Sequence, residues 1–235
     1  MDLLNAVGQM GAGDIVDLGC GNGQMASTLA ARSGGRPLVG VDASPAMLEK
    51  ARQSKSYDSL QQADIREWHP RRAPGLLFSN AALHWIDDHS WLMPRLVSML
   101  GKGGTLAVQL PHQNNAPSHR VWLTLAEEMF DGRVDDAGTP GVLTPIEYDE
   151  MLAPMGRFRM WETEYYQRLT AEAGSHPVRR FTESTYARPI LAALDADEKA
   201  DLINRYEEVM HTAYPVRSDG TVLFPFRRLF FTLTI

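Results

Sequence analysis

Short apolar runs alternate with amphipathic stretches through the first half of the chain. Runs at 14–18, 37–41, 60–63, 75–79 and 104–109 predict strands, and stretches at 24–33, 45–54 and 89–100 predict helices. Such alternation, with short loops, predicts a parallel sheet covered by helices on both faces and joined by right-handed crossovers. After Pro111 the pattern changes. Residues 118–130 read as a helix with Ser118 as its cap. Residues 132–145 are rich in glycine, proline and aspartate and read as a loop. Thr144-Pro145-Ile146-Glu147 carries a capping-box pattern. Alternation over 157–169 predicts a late strand, 176–211 is mostly helical in pattern, and 221–235 predicts a last strand. The expected fold class is α/β: a doubly wound, mostly parallel, seven-stranded Rossmann-like sheet with a helical insertion before the last strand. The expected division is a cofactor-binding core at 1–112, completing elements at 113–169, a helical segment at 170–220 that reads as a substrate lid or as an insertion packing elsewhere, and a returning strand at 221–235.

Composition narrows the setting. The chain has 235 residues, 44% of them hydrophobic, and a net charge of −6. That length supports one substantial core, with or without a smaller cap. An acidic balance argues against nucleic acid as the main partner, because phosphate recognition wants a basic face. The one cysteine, Cys20, excludes an internal disulfide, fits a reducing compartment and reads as a packing residue. No apolar run has the length of a membrane span, and the first residues lack a signal-peptide pattern. The expectation is a cytoplasmic monomer without membrane contact.

The most specific chemistry lies at Val16-Asp17-Leu18-Gly19-Cys20-Gly21-Asn22-Gly23-Gln24. Strand, glycine loop and helix follow one another, which suits a nucleotide-like ligand pressed against bare backbone. The glycines are spaced G-x-G-x-G, not the G-x-G-x-x-G of a pyrophosphate-binding loop. An acid, Asp17, precedes them and disfavours an anion. A cationic ligand without phosphate fits better, and S-adenosylmethionine is the candidate. Asp42 ends the second strand about twenty residues on, where an open α/β fold places a carboxylate for ribose hydroxyls. Asp42 also reads as a plain turn acid, and Asp64 as a solvated loop acid. Ser44 and Pro45 start the following helix. Asp17, Asp42 and Asp64 all fall at carboxyl ends of strands, so the expectations converge on one crevice.

With these residues the chain resembles the class I S-adenosylmethionine-dependent methyltransferases. The segments Val41-Asp42-Ala43-Ser44-Pro45-Ala46-Met47, Ala63-Asp64-Ile65-Arg66-Glu67-Trp68, Ser79-Asn80-Ala81-Ala82-Leu83-His84-Trp85 and Leu106 to Pro111 are similar to those of the trans-aconitate methyltransferase family. So are Ala116-Pro117-Ser118-His119, Arg188-Pro189 and Phe226 to Phe230. Members of that family esterify a carboxylate of trans-aconitate. The resemblance implies a helix ahead of the first strand that covers the cofactor; here that cover is missing or lies outside this sequence. His84 stands where the family has glutamine, Gln167 where it has histidine, and Ser184-Thr185-Tyr186 replaces a Gly-Thr-Gly-like stretch.

The resemblance implies roles by position. Gly19, Gly21 and Gly23 give backbone access near the methionine part, and Asp17 serves its amino end, directly or through water. Asp42, with Ala43 and Met47 beside it, holds the ribose. Asp64 and Ile65 frame the adenine, and Asn80 and Ala81 form the floor. S-adenosyl-L-homocysteine is the product. A carboxylate acceptor is already ionised at neutral pH and needs no general base, so neither a catalytic residue nor a metal is expected. A small polyanion calls for arginines, whose planar guanidinium meets a carboxylate with two parallel bonds. Arg188 and Arg228 are first choices, with Arg179, Arg180 and Arg227 in reserve. His84, Trp85 and Tyr166 complete the substrate set; Trp85 also reads as a core aromatic, and Asn80 as a turn residue. Other readings are a methyltransferase of the malonyl-carrier-protein type, a non-catalytic cofactor-binding module, and a nicotinamide dehydrogenase, the last disfavoured by the glycine spacing.

Overall fold

A computed structural model of the chain describes residues 2–130, 132–133, 141–171 and 174–235. Its elements in order are α1 (Asp2–Ala6), β1 (Ile15–Leu18), α2 (Ala26–Arg32), β2 (Leu38–Asp42), α3 (Pro45–Arg52), β3 (Ser59–Gln62) and β4 (Leu76–Asn80). A 3-10 turn at Leu83–Trp85 precedes α4 (His89–Ser98) and β5 (Thr105–Pro111). Then come α5 (Pro117–Phe130), α6 (Pro145–Leu152), β6 (Arg157–Thr170), α7 (Pro177–Glu183), α8 (Arg188–Ala192), α9 (Ala196–Ala213) and β7 (Thr221–Thr234). The strands form one mixed, mostly parallel sheet in the order β3-β2-β1-β4-β5-β7-β6. β1 pairs in parallel with β2 and β4, β2 with β3, and β4 with β5. The order reverses direction at β1 and β4, so the carboxyl ends of β1, β2 and β4 border the switch point where such sheets bind ligands.

The chain divides into two compact units. The first comprises Met1–Pro111, Gly141–Glu162 and Leu229–Ile235, and the second His112–Pro140 and Thr163–Arg228. The first unit is built on β1, β4 and β5, whose residues are nearly all buried, as continuous apolar runs covered on both faces must be. Its core joins Val16, Leu18, Leu77, Leu96, Leu106 and Phe231. The second unit has its own core around Trp122, which stacks on Tyr206 at 3.7 Å. The Trp122 indole N–H donates to Thr182 Oγ1 at 2.9 Å, so its polar edge is satisfied inside apolar surroundings. The helices α7, α8 and α9 share a unit and a core with α5.

Local signals worked where side chains cap helices. Ser44 accepts a hydrogen bond from Met47 N at the start of α3, and Thr144 and Glu147 form the capping box of α6. Ser118 does not cap. It lies one residue inside α5, fully buried, with its hydroxyl 2.9 Å from His119 Nδ1. α2 begins at Ala26 because Gly23 still holds a left-handed turn at φ 82°. The helical stretch at 176–211 breaks into α7, α8 and α9, with Pro189 in the first turn of α8 and an Asp195–Glu198 capping box opening α9. The loop expected at 132–145 falls outside the described residues at 134–140.

Candidate cofactor crevice

The glycine loop is sewn to its neighbour strand. Gly19 N and Cys20 N both donate to Val41 O, at 2.8 and 3.0 Å, and Gly23 N turns back to Cys20 O at 2.9 Å. Asp42 completes the attachment. One carboxylate oxygen accepts from Gly21 N at 2.8 Å and the other from Ser44 N at 2.9 Å. Each oxygen keeps further accepting capacity for a ligand. The glycines differ in purpose. A Cβ on Gly19 would lie 2.2 Å from Ala82 Cβ, so this position is closed by packing. Gly21, at φ 54°, would put a Cβ into open space within the cradle. Gly23 packs against Ala51 and Tyr57.

A crevice of about 560 Å³ opens at the strand tips of the first unit. Gly19, Gly21, Asp42, Ala43, Met47, Asp64, Ile65, Ala81 and Trp85 line it, all of them expected from sequence. Ala63, Arg66, Ala82, Ile86 and Asp87 also line it and were not anticipated. Ala63 and Arg66 flank the Asp64-Ile65 pair, and Asp87 follows Trp85 closely, so proximity in sequence was the available signal. Ala81 occupies the left-handed region at φ 54°, uncommon for a residue with a Cβ and characteristic of sites where backbone strain is retained.

The remaining expected residues lie elsewhere. Asp17 is only 2% exposed and does not line the crevice. Its carboxylate accepts from the Tyr57 hydroxyl at 2.6 Å. Burial is the main influence and raises its pKa to about 6, with the Tyr57 bond working against that and Asp42 adding to it. Asn80 and Gly23 are also absent from the lining. His84 is buried, with its Nδ1 lacking a hydrogen-bond partner among the described residues. Its ring lies against Trp85 at 4.6 Å between centroids. Burial, with a smaller effect of His89, lowers its pKa to about 4 and keeps it neutral. Burial likewise pushes the Cys20 thiol up to about 12, as suits a packing residue. Asp64 sits at the rim, paired with the Arg66 guanidinium at 2.6 Å; hydrogen bonding from Arg66 holds its pKa below the usual value.

The Asp17 shift makes a stability prediction. Its carboxyl holds a proton more tightly in the folded chain than at the ordinary value of 3.8. The folded state therefore binds more protons between about pH 4 and 6, and stability falls as pH rises through that window. Asp17→Asn is expected to flatten this slope and to gain on the order of 2 kcal/mol at pH 7. Denaturant unfolding of both chains at pH 4, 5, 6 and 7 checks it; parallel stability curves would show that Asp17 is not the group responsible.

In the second unit, Arg188 is exposed at the start of α8 and its side chain has no partner among the described residues. The Arg228 guanidinium lies over the Tyr165 and Phe226 rings, at 5.6 and 5.4 Å. Tyr166 is 62% exposed, its hydroxyl donating to Glu164 at 2.5 Å. Arg179 is held by Glu183 and Glu207, and Arg227 faces Glu164 at 3.6 Å. The first of these arrangements commits Arg179 to structure.

The crevice suits a cationic nucleoside. Asp42 and Asp87 supply its net negative charge, Asp64 being paired with Arg66 in the same lining, and glycine opens its floor to a ligand. Such a lining would repel a pyrophosphate. Sheet order and crevice together define a class I S-adenosylmethionine-dependent methyltransferase. Residues 15–104 match a family model described as a methyltransferase domain. A trans-aconitate 2-methyltransferase from Methylobacterium nodulans is 39% identical over 233 residues, 97% of this chain and 89% of that protein. Another, from Azoarcus sp., is 38% identical and shares 97% of this chain and 90% of its own length. The chain belongs to the trans-aconitate 2-methyltransferase family. Among solved structures, YcgJ from Bacillus subtilis matches with a TM-score of 0.62 at 14% identity, over 99% of this chain and 95% of that one. A putative methyltransferase from Bacillus halodurans gives 0.60 at 15% identity, over 99% and 96%. At these identities the shared feature is the fold.

Proposed function

We propose that the chain esterifies a carboxylate of trans-aconitate, using S-adenosylmethionine. The observation that carries this reading is the likeness to curated trans-aconitate 2-methyltransferases over nearly the whole chain. When bound, the cofactor supplies a methyl group on a positively charged sulfur. The chain's own residues then have three tasks: to hold the donor, to orient the acceptor oxygen and to exclude water. Asp42 binds the ribose diol, presented by the same bonds that fix Gly21 and Ser44. Asp64 and Ile65 hold the adenine, one by a hydrogen bond and the other by apolar contact. Gly19, Gly21 and Ala81 let the donor approach the backbone. Asp17, buried at the end of β1 and outside the crevice lining, contributes negative potential without contact. No protein group needs to move a proton, because the acceptor oxygen is ionised before it reacts. A neutral, buried His84 is consistent with that requirement.

Arg188 and Arg228 are the proposed carboxylate ligands of the acceptor. Arg188→Ala is expected to raise KM for a tricarboxylate roughly tenfold or more while leaving cofactor KM within about twofold. Unchanged constants for both would remove Arg188 from the substrate set. The direct test of function is methyl transfer from labelled cofactor to a panel of free di- and tricarboxylic acids. Turnover of trans-aconitate above the other acids supports the reading. Turnover only of an acid carried on a protein overturns it in favour of a carrier-dependent enzyme.

A further inference from the structure

The crevice wall between Ala81 and Asp88 is bounded by two non-glycine residues in the left-handed region, each at φ 54°. Between them the 3-10 turn Leu83–Trp85 carries Trp85 into the crevice, where it is 54% exposed. Strain of this kind persists only when the surroundings over-determine it. Asp88 is fixed locally, accepting from Trp91 N at 3.2 Å and from the Ser90 hydroxyl at 2.5 Å. The turn itself is fixed by His89, the first residue of α4 and 1% exposed.

The hydrogen-bond roles of His89 follow from its partners. Its Nε2 lies 2.9 Å from Leu83 O, and a carbonyl can only accept, so Nε2 carries the proton. Burial lowers the pKa of His89 and favours the neutral ring. Nδ1 is then the acceptor, and it takes the hydroxyl proton of Tyr148, a fully buried residue of α6. The Tyr148 ring is wedged against Phe231 at 5.1 Å. A second tie comes from the same region, where Gly141 N donates to His84 O at 3.3 Å.

We propose that His89 and Tyr148 are positioning residues for the cofactor crevice: the chain Tyr148 hydroxyl, His89 ring, Leu83 carbonyl holds the strained turn so that Trp85 forms the crevice wall. The idea rests on the crevice being the cofactor site, and not on the identity of the acceptor. Neither residue touches the ligand, and both act through Trp85.

The test measures S-adenosylhomocysteine affinity by calorimetry, with melting temperature recorded in parallel. It needs no acceptor, so failure of the trans-aconitate reading leaves it intact. Trp85→Ala is expected to weaken binding roughly tenfold, and His89→Ala by a similar factor. His89→Gln can still present an Nε2–H to Leu83 O and is expected to recover to within about threefold of the parent. The double variant Trp85→Ala/His89→Ala is expected to bind no more weakly than Trp85→Ala alone, because the two residues share one effect. Tyr148→Phe removes only the hydroxyl and is expected to cost about threefold, again lost in the Trp85→Ala background. This variant decides the matter if His89→Ala fails to fold. Full affinity in Trp85→Ala overturns the proposal. So do multiplying losses in the double variants, or a fall in melting temperature with unchanged affinity in the His89 and Tyr148 variants.

Discussion

Asp42→Ala is expected to weaken S-adenosylhomocysteine binding by at least about 100-fold, on the order of 3 kcal/mol. Two losses combine. The ribose hydroxyls lose a charged acceptor, and hydrogen bonds to charged groups are worth more than neutral ones. The cradle also loses its fastening, because this carboxylate accepts from both Gly21 N and Ser44 N. Asp42→Asn separates the two. An amide keeps one acceptor oxygen but offers an NH₂ where the other backbone N–H needs an acceptor. It should therefore fall between the parent and Asp42→Ala. Calorimetry decides: near-parental affinity in Asp42→Ala would detach Asp42 from the ribose.

Gly19→Ala is expected to damage stability and binding together. Gly19 has φ 69°, and an added Cβ would lie 2.2 Å from Ala82 Cβ. The left-handed backbone costs about 1–2 kcal/mol for a residue with a Cβ, and the overlap adds about 1–3 kcal/mol as overpacking. The melting temperature should fall by roughly 5–10 °C. Cofactor affinity should fall with it, since Gly19 and Ala82 both line the crevice. Ala82→Gly offers partial rescue: it removes the overlapping methyl but not the backbone penalty. A double variant no better than Gly19→Ala would show that the contact with Ala82 is not what matters.

Much of the crevice was legible because strand ends are legible. Apolar runs at β1, β2 and β4 stop at Gly19, Asp42 and Asn80, and a parallel sheet gathers those stops at one edge. What escaped depends on direction and on distant partners. Asp17 precedes the glycine loop by two residues, yet it is buried against Tyr57, forty positions away in the loop between α3 and β3, a pairing that the β1–β2 register, which sets Asp17 opposite Gly40 beside Tyr57, makes possible. His84 and Trp85 are adjacent, but neighbours in a 3-10 turn point about 120° apart, so one faces the crevice and the other the core. Asp87 and Arg66 belong to short irregular segments with no periodicity to place them. The misread cap at Ser118 has the same origin: Pro117 opens α5, and the serine beside it answers to tertiary partners, its backbone C=O accepting from the Tyr206 hydroxyl at 2.8 Å.

The bonds from Gly19 N and Cys20 N to Val41 O make the candidate crevice part of the sheet's own hydrogen-bond ladder. Occupying the pocket and keeping the strands together are thus one equilibrium seen from two sides. Any molecule that seats there should raise the midpoint of heat unfolding in proportion to the logarithm of its concentration over its dissociation constant. Donor analogues and inhibitors can therefore be ranked by thermal shift before any methyl acceptor is in hand.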